Sequence, residues 1–290
     1  MRVLILGAGY SGKAIARELL PLASRITGTT RSLEKRAALT AIGIEALVYD
    51  GNEISPELAA EMARATHLIQ SIAPGREGDP IIRLGFTRMR DLMPALEWVG
   101  YLSTVGVYGD HKGGWVDEES ECKPVSQRSR ERVEAEDGWM AFGEASGIPV
   151  AVLRLAGIYG PGRNTFRNLE EGTAKRLIKP DQVFNRIRVE DIAGATALLI
   201  DKHADGIFNI TDNEPAPPQD LVSMAADMMG VEPPPEVAFE SAELTPMARS
   251  FYGENKRVSN RKLRDAGYVM RFTDYRASLA DLWEAGRWRG

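Results

Sequence analysis

Val3-Leu4-Ile5-Leu6-Gly7-Ala8-Gly9-Tyr10-Ser11-Gly12-Lys13-Ala14-Ile15-Ala16 decides the fold. Four apolar residues run into Gly-x-Gly-x-x-Gly, and an Ala-rich helical pattern follows. The stretch reads as strand, tight turn and helix. Gly7 permits the sharp turn at the strand end, Gly9 lets a pyrophosphate approach the main chain, and Gly12 lets the helix pack on the strand. Tyr10, Ser11 and Gly12 would present the unpaired first amides of that helix, where the helix dipole also favours negative charge. A dinucleotide site is the reading this context supports. A Gly-rich turn without a ligand is the alternative.

The chain has 290 residues, a length that suits a large α/β domain with a smaller C-terminal lobe. Its formal charge of −5 argues against a nucleic-acid partner, because phosphate binding needs a basic face. The single cysteine, Cys122, cannot form an intrachain disulfide, which fits a reducing, cytoplasmic setting. Val3–Leu6 is too short to span a membrane, and no secretory pattern opens the sequence, so no membrane partner is expected. His67, His111 and His203 are scattered without metal-ligand spacing, so no metal site is expected.

Arg25–Thr30 reads as the second strand, followed by Ser32 as an N-cap and a helix through Thr40. An acid after this strand would accept from the adenosine ribose 2′-hydroxyl and repel a 2′-phosphate. The sequence has Thr29, Thr30, Arg31 and Ser32 there, with Lys35 one turn on. Hydroxyls and a guanidinium suit a phosphate, so NADP(H) is preferred, with NAD(H) as the alternative cofactor. Ile44–Tyr49 reads as the third strand. Asp50 closes it and can accept from an adenine amino group or cap a turn. His67–Ile72 is the fourth strand, and Ser71, Ile72, Ala73 and Pro74 should pass under the cofactor at the carboxyl edge of the sheet.

Helices are expected over residues 80–93 and 126–145, and strands over 97–103 and 149–155. Beyond them lie a helix over 168–177, a strand over 183–187, a helix over 190–200 and a strand over 206–210. Helices over 217–229, 260–266 and 274–285 complete the pattern. Strands alternating with helices predict an α/β fold, a Rossmann doubly wound parallel sheet with a smaller C-terminal substrate lobe. The expected division puts residues 1–160 and parts of 183–212 in the NAD(P)-binding domain, and 161–182 and 213–290 in the lobe.

Five segments in order carry a family resemblance. They are the glycine turn, Ser103-Thr104-Val105-Gly106-Val107-Tyr108-Gly109, Leu153-Arg154-Leu155-Ala156-Gly157-Ile158-Tyr159-Gly160-Pro161-Gly162-Arg163, Arg188-Val189-Glu190-Asp191-Ile192-Ala193 and Gly206-Ile207-Phe208-Asn209-Ile210. The chain resembles the extended short-chain dehydrogenase/reductase superfamily, of the NAD-dependent epimerase/dehydratase type. The resemblance implies that Ser103 and Gly157 line the cofactor, with Ala156 to Ile158 flanking the nicotinamide. It also implies a small-molecule substrate, and a homodimer through the helices expected over 80–93 and 126–145.

Two departures stand out. The glycines are spaced Gly7-x-Gly9-x-x-Gly12, with Leu6 at the family's first glycine position. The catalytic Tyr-x-x-x-Lys is absent: Ser126 holds the tyrosine position and Arg130 the lysine position, with Glu134 beyond. A serine hydroxyl is far less acidic than a phenol, so Ser126 can position a substrate but cannot replace the phenol unaided. Arg130 stays charged; it can hydrogen-bond the nicotinamide ribose but cannot exchange a proton. Thr104 keeps the family's Ser/Thr hydroxyl, while Tyr108 is either a substitute phenol or a packing residue. Glu118 and Glu119 read as solvated.

An NADP(H)-dependent oxidoreductase acting on a small or sugar-like hydroxyl or carbonyl compound is the leading reading. A non-catalytic NADP(H)-binding sensor and a nucleotide-sugar epimerase or dehydratase are the alternatives.

Overall fold

The computed structural model describes residues 1–290, except the side chains of residues 246–248. The chain divides into two compact units. The first comprises residues 1–107, 126–155 and 192–208, and the second residues 108–125, 156–191 and 209–290.

The first unit is built on a seven-stranded sheet. Five strands come early: β1 (Arg2–Leu6), β2 (Arg25–Thr30), β3 (Glu45–Val48), β4 (His67–Gln70) and β5 (Trp98–Thr104). The strands Val150–Leu155 and Gly206–Ile210 complete it. The spatial order is β3-β2-β1-β4-β5, then Val150–Leu155, then Gly206–Ile210. β1 pairs in parallel with β2 on one side and β4 on the other, with Ile5 opposite Gly28 and Leu6 opposite Gln70. This is the doubly wound arrangement. The chain reverses direction across the sheet between β3 and β4, and ligands bind beyond the carboxyl ends of strands at such a switch point.

Central strands are apolar on both faces because helices cover both. Leu4, Leu6, Leu68, Val99 and Val152 pack with Leu58 and Met62 of the helix Pro56–Met62 and with Trp139 and Phe142 of the helix Gln127–Ser146 in one core. Here α1 is Tyr10–Leu19, α2 Arg36–Thr40, α3 Pro56–Met62, α4 Phe86–Leu92 and α5 Gln127–Ser146.

Three expected elements take another form. The helix over 80–93 breaks at Gly85, whose φ of 82° only glycine adopts readily. It becomes a single turn, Ile82–Leu84, followed by α4. The helix over 168–177 lies earlier, at Thr165–Glu170, because Asn164 caps it and Gly172 (φ 65°) stops it. The Ser32 hydroxyl makes no cap hydrogen bond, and residues 33–40 form a 3₁₀ turn followed by α2.

In the second unit, the strands Gly157–Tyr159 and Arg186–Arg188 pair in parallel. Its core joins Phe166, Leu221, Ala225, Leu279, Leu282 and Trp288. Arg188 is buried and ties the C-terminal helix Tyr275–Glu284 in place. It donates to Glu190, Asp281 and Ser278 and lies over the Phe272 ring.

Candidate functional site

The glycine turn sits at the carboxyl end of β1. Gly7 has φ 85°, and a Cβ there would lie 2.9 Å from Ile72 Cγ1, so only glycine lets the ends of β1 and β4 meet. A Cβ on Gly12 would lie 3.2 Å from Ile5 Cγ2, which explains the close packing of α1 on β1. Gly9 is different: a Cβ there would meet nothing nearer than the Gly7 carbonyl at 3.9 Å. Its bare face looks onto open space. The Gly7 and Ala8 amides donate to Thr29, and the Gly9 amide to Gly7. Those of Ser11 and Gly12 have no acceptor among the described residues. An open main-chain face beside free helix-start amides suits a pyrophosphate.

Gly9→Ala is therefore expected to fold with a stability within about 1 kcal/mol of the parent, yet to bind dinucleotide at least about tenfold more weakly. Chemical unfolding and a fluorescence titration read the two quantities. Undiminished binding would place the pyrophosphate elsewhere.

At the end of β2, Thr30, Arg31 and Ser32 make no side-chain hydrogen bond or ion pair among the described residues, and Arg31 is exposed. Lys35 is likewise exposed and unpaired among the described residues. After β3, Asp50 uses Oδ1 to accept from the Asn52 amide at 2.9 Å, so it closes a turn. That hydrogen bond holds its carboxyl below the usual carboxylate range. Ser71, Ile72 and Ala73 follow β4, and the loop they open is fastened at its far end. Buried Asp79 accepts from Gln70 Nε2 at 2.8 Å, Trp139 Nε1 at 3.3 Å and the Ile81 amide at 2.8 Å.

β5 ends in Ser103 and Thr104. The Ser103 hydroxyl donates to Glu136, which also binds Arg154 through Nε–Oε2 (3.1 Å) and Nη2–Oε2 (2.7 Å). That bond commits the hydroxyl hydrogen of Ser103 to Glu136. Thr104 Oγ1 accepts from the Gly106 amide at 3.1 Å, which leaves its hydroxyl hydrogen to donate. Ser126 is the N-cap of α5. Its Oγ accepts from the Ser129 amide at 3.1 Å and lies 2.8 Å from Ser129 Oγ. A Cβ on Gly106 would lie 3.4 Å from Thr104 Oγ1 and 3.3 Å from Ser129 Oγ, so these hydroxyls flank one small space. Arg130 is exposed on the first turn of α5, and its Nε stands 3.5 Å from Gln127 Oε1.

In the second unit, Tyr108 is fully buried and its hydroxyl donates to Asn209 Oδ1 at 2.8 Å. That is a packing role. Glu118 is not solvated as its sequence context suggests. It is half-buried, accepts from the Asn209 amide at 2.8 Å, and burial pushes its carboxyl above the usual range. Gly157 is exposed, and its amide donates to Asn185.

Sequence reasoning missed the buried Glu136–Arg154 pair and the buried charges at Arg186 and Asp212. The spacing of Glu136 and Arg154 carries no signal, but an Arg inside a strand that is otherwise apolar, Val150–Leu155, signals a buried partner.

The profile of the NAD dependent epimerase/dehydratase family matches residues 84–211. Residues 84–211 are therefore similar to the NAD dependent epimerase/dehydratase family. The glycine turn lies outside the matched segment and stands on its own geometry. A conserved protein of unknown function from Silicibacter pomeroyi DSS has the same fold at 42% identity, with a TM-score of 0.90 and 99% of each chain covered. Protein YeeZ of Escherichia coli K12 is 29% identical over 248 residues, 80% of this chain and 85% of that protein. UDP-glucose 4-epimerase of Thermus thermophilus, solved with NAD, shares the fold at 20% identity and a TM-score of 0.75, over 98% of this chain and 99% of that one. No helix among the described residues is long and apolar enough to cross a membrane.

Proposed function

We propose that this chain is an NADP(H)-dependent oxidoreductase acting on a small or sugar-like hydroxyl or carbonyl compound. The observation that carries this is the end of β2. No acid stands there, and the side chains of Thr30, Arg31 and Ser32 have no partner among the described residues. The open face of Gly9 and the free amides of Ser11 and Gly12 fit a pyrophosphate, and Arg31 fits a 2′-phosphate through two donors. Arg130 would reach a ribose hydroxyl. When bound, the cofactor supplies or takes up hydride.

The chain's own part is to hold the reacting oxygen. Thr104 keeps a hydroxyl hydrogen to donate, while Ser126 is engaged in capping α5 and does not replace the missing phenol as an acid. The proton at the substrate oxygen then comes from solvent through the Thr104 and Ser129 hydroxyls.

Arg31→Ala is expected to weaken NADP(H) by about 10–100-fold, the value of one or two hydrogen bonds to a charged group, and to leave NAD(H) within about threefold. Equal losses would show that Arg31 does not read the 2′-phosphate. Turnover is tested by NADPH oxidation against a carbonyl panel.

The engaged Ser126 hydroxyl also favours a second reading, an NADP(H)-responsive binding protein without turnover. That reading requires NADP and NADPH to bind with different affinity, since equal affinity shifts no equilibrium. A homodimer through the α4 and α5 segments and a nucleotide-sugar epimerase or dehydratase activity remain proposals of lower rank.

A further inference from the structure

Opposite Gly157 lies a pair of buried ionisable side chains that the proposed cofactor site does not use. Parallel pairing sets Arg186 against Gly157, and a Cβ on Gly157 would lie 4.0 Å from Arg186 Cγ. The backbone fixes a second residue beside it. The Thr211 hydroxyl (3.1 Å) and the Asp212 amide (2.8 Å) both donate to the Arg186 carbonyl.

Arg186 is 9% exposed. Its Nη1 donates to the carbonyls of Phe184 (2.9 Å) and Ala216 (3.0 Å). Its Nε and Nη2 edge has no acceptor among the described residues. Asp212 is 2% exposed. Its Oδ1 accepts from the Glu214 amide at 3.2 Å, but Oδ2 is buried without a hydrogen-bond partner among the described residues. The two side chains feel each other's charge yet form no ion pair.

A buried polar atom left unpaired costs about 1–3 kcal/mol. An unpaired carboxyl oxygen and an unpaired guanidinium edge on neighbouring side chains leave hydrogen-bonding capacity that a third group would take up. We infer that Arg186 and Asp212 together hold a carboxylate of the substrate.

The free edge of Arg186 presents two parallel N–H donors that match a carboxylate. Burial pushes the Asp212 carboxyl up to about 8, so at neutral pH it carries a proton that it can donate to the incoming carboxylate. Two carboxyl groups can share one proton in this way. A phosphate dianion gains less, because its second charge also meets the ionisable carboxyl. This assignment deepens the oxidoreductase reading and depends on it for the chemistry beside the carboxylate, not for the binding itself.

The test uses the whole protein loaded with NADPH, after NADPH affinity has been measured separately. Glucuronate is titrated against glucose, and lactate against 1,2-propanediol, by calorimetry. The acid of at least one pair is expected to bind tenfold or more tightly than its neutral partner, without displacement by equimolar inorganic phosphate. Arg186→Gln, with native circular dichroism and NADPH affinity, is expected to lose that preference.

A crystal structure of the parent with the tighter acid gives a reading that needs no variant, and should show the carboxylate on the Arg186 edge. The assignment is overturned if acids and neutral partners bind alike, if Arg186→Gln keeps the preference, or if only a water molecule bridges Arg186 and Asp212. Failure to bind NADPH would count against the cofactor reading instead, and is seen before any acid is added.

Discussion

Glu136→Ala is expected to destabilise the chain by about 3–5 kcal/mol, the cost of leaving one member of a buried ion pair uncompensated. Glu136 and Arg154 are 3% and 4% exposed and meet through contacts of 2.7 and 3.1 Å. The Ser103 hydroxyl also donates to Glu136. Removing the carboxylate takes its ion-pair partner from the buried Arg154 guanidinium, between α5 and the strand Val150–Leu155, and takes away the acceptor of Ser103. Replacing both charges, as Glu136→Leu with Arg154→Met, should restore most of the loss, because an apolar pair of similar volume is often as stable as the ions. Urea unfolding of the single and double variants measures this. A single-variant loss below about 1 kcal/mol would mean that the pair is solvated or replaced. The function is linked to it, because Ser103 precedes Thr104, the hydroxyl proposed to hold the reacting oxygen.

Asp212→Asn should give a gain in stability that depends on pH. Burial raises the Asp212 carboxyl to about 8 against an ordinary value of 3.8, with the nearby charges of Asp274 and Glu214 adding to the rise and Arg186 and the Glu214 amide opposing it. The native state therefore keeps a proton that the unfolded chain releases. Native stability is undiminished below pH 4 and falls as pH rises towards 8, by about 1.4 kcal/mol per pH unit over that window. Asparagine has no proton to lose. The difference between variant and parent should be small at pH 4.5 and reach several kcal/mol at pH 9. Other titrating groups cancel in that difference. Unfolding at the two pH values decides the matter, and a difference that does not change with pH would show that Asp212 is ionised in the native state.

The fold was legible because its signals are local. Apolar runs of four to six residues, the glycine triplet and alternating helical patterns each occupy one short window. Boundaries failed where one backbone angle overruled a pattern, as at Gly85, or where a cap was misplaced, as with Ser32 and Asn164. The placement of Gly7, Gly9, Gly12 and Arg31 just beyond β1 and β2 was legible for the same reason, because the sequence marks those strand ends. The polar interior was not. Glu118 looks solvated in its acidic stretch, but the Asn209 amide fastens it in the second unit. Tyr108 offers a phenol in a catalytic neighbourhood, yet Asn209 accepts its hydroxyl.

The sequence by itself determined that β1 ends in a Gly-x-Gly-x-x-Gly turn, that no acid directly follows β2, and that Ser126 and Arg130 stand where α5 begins. These are statements about residue identity at positions fixed by local pattern. Tertiary structure alone decided what those residues are free to do. It left Arg31 without a partner among the described residues, engaged Ser126 in capping α5, directed Ser103 to Glu136, and brought Arg186 beside Asp212 without pairing them. Hydrogen bonds and burial between residues far apart in the chain set those outcomes, and no window of sequence contains them.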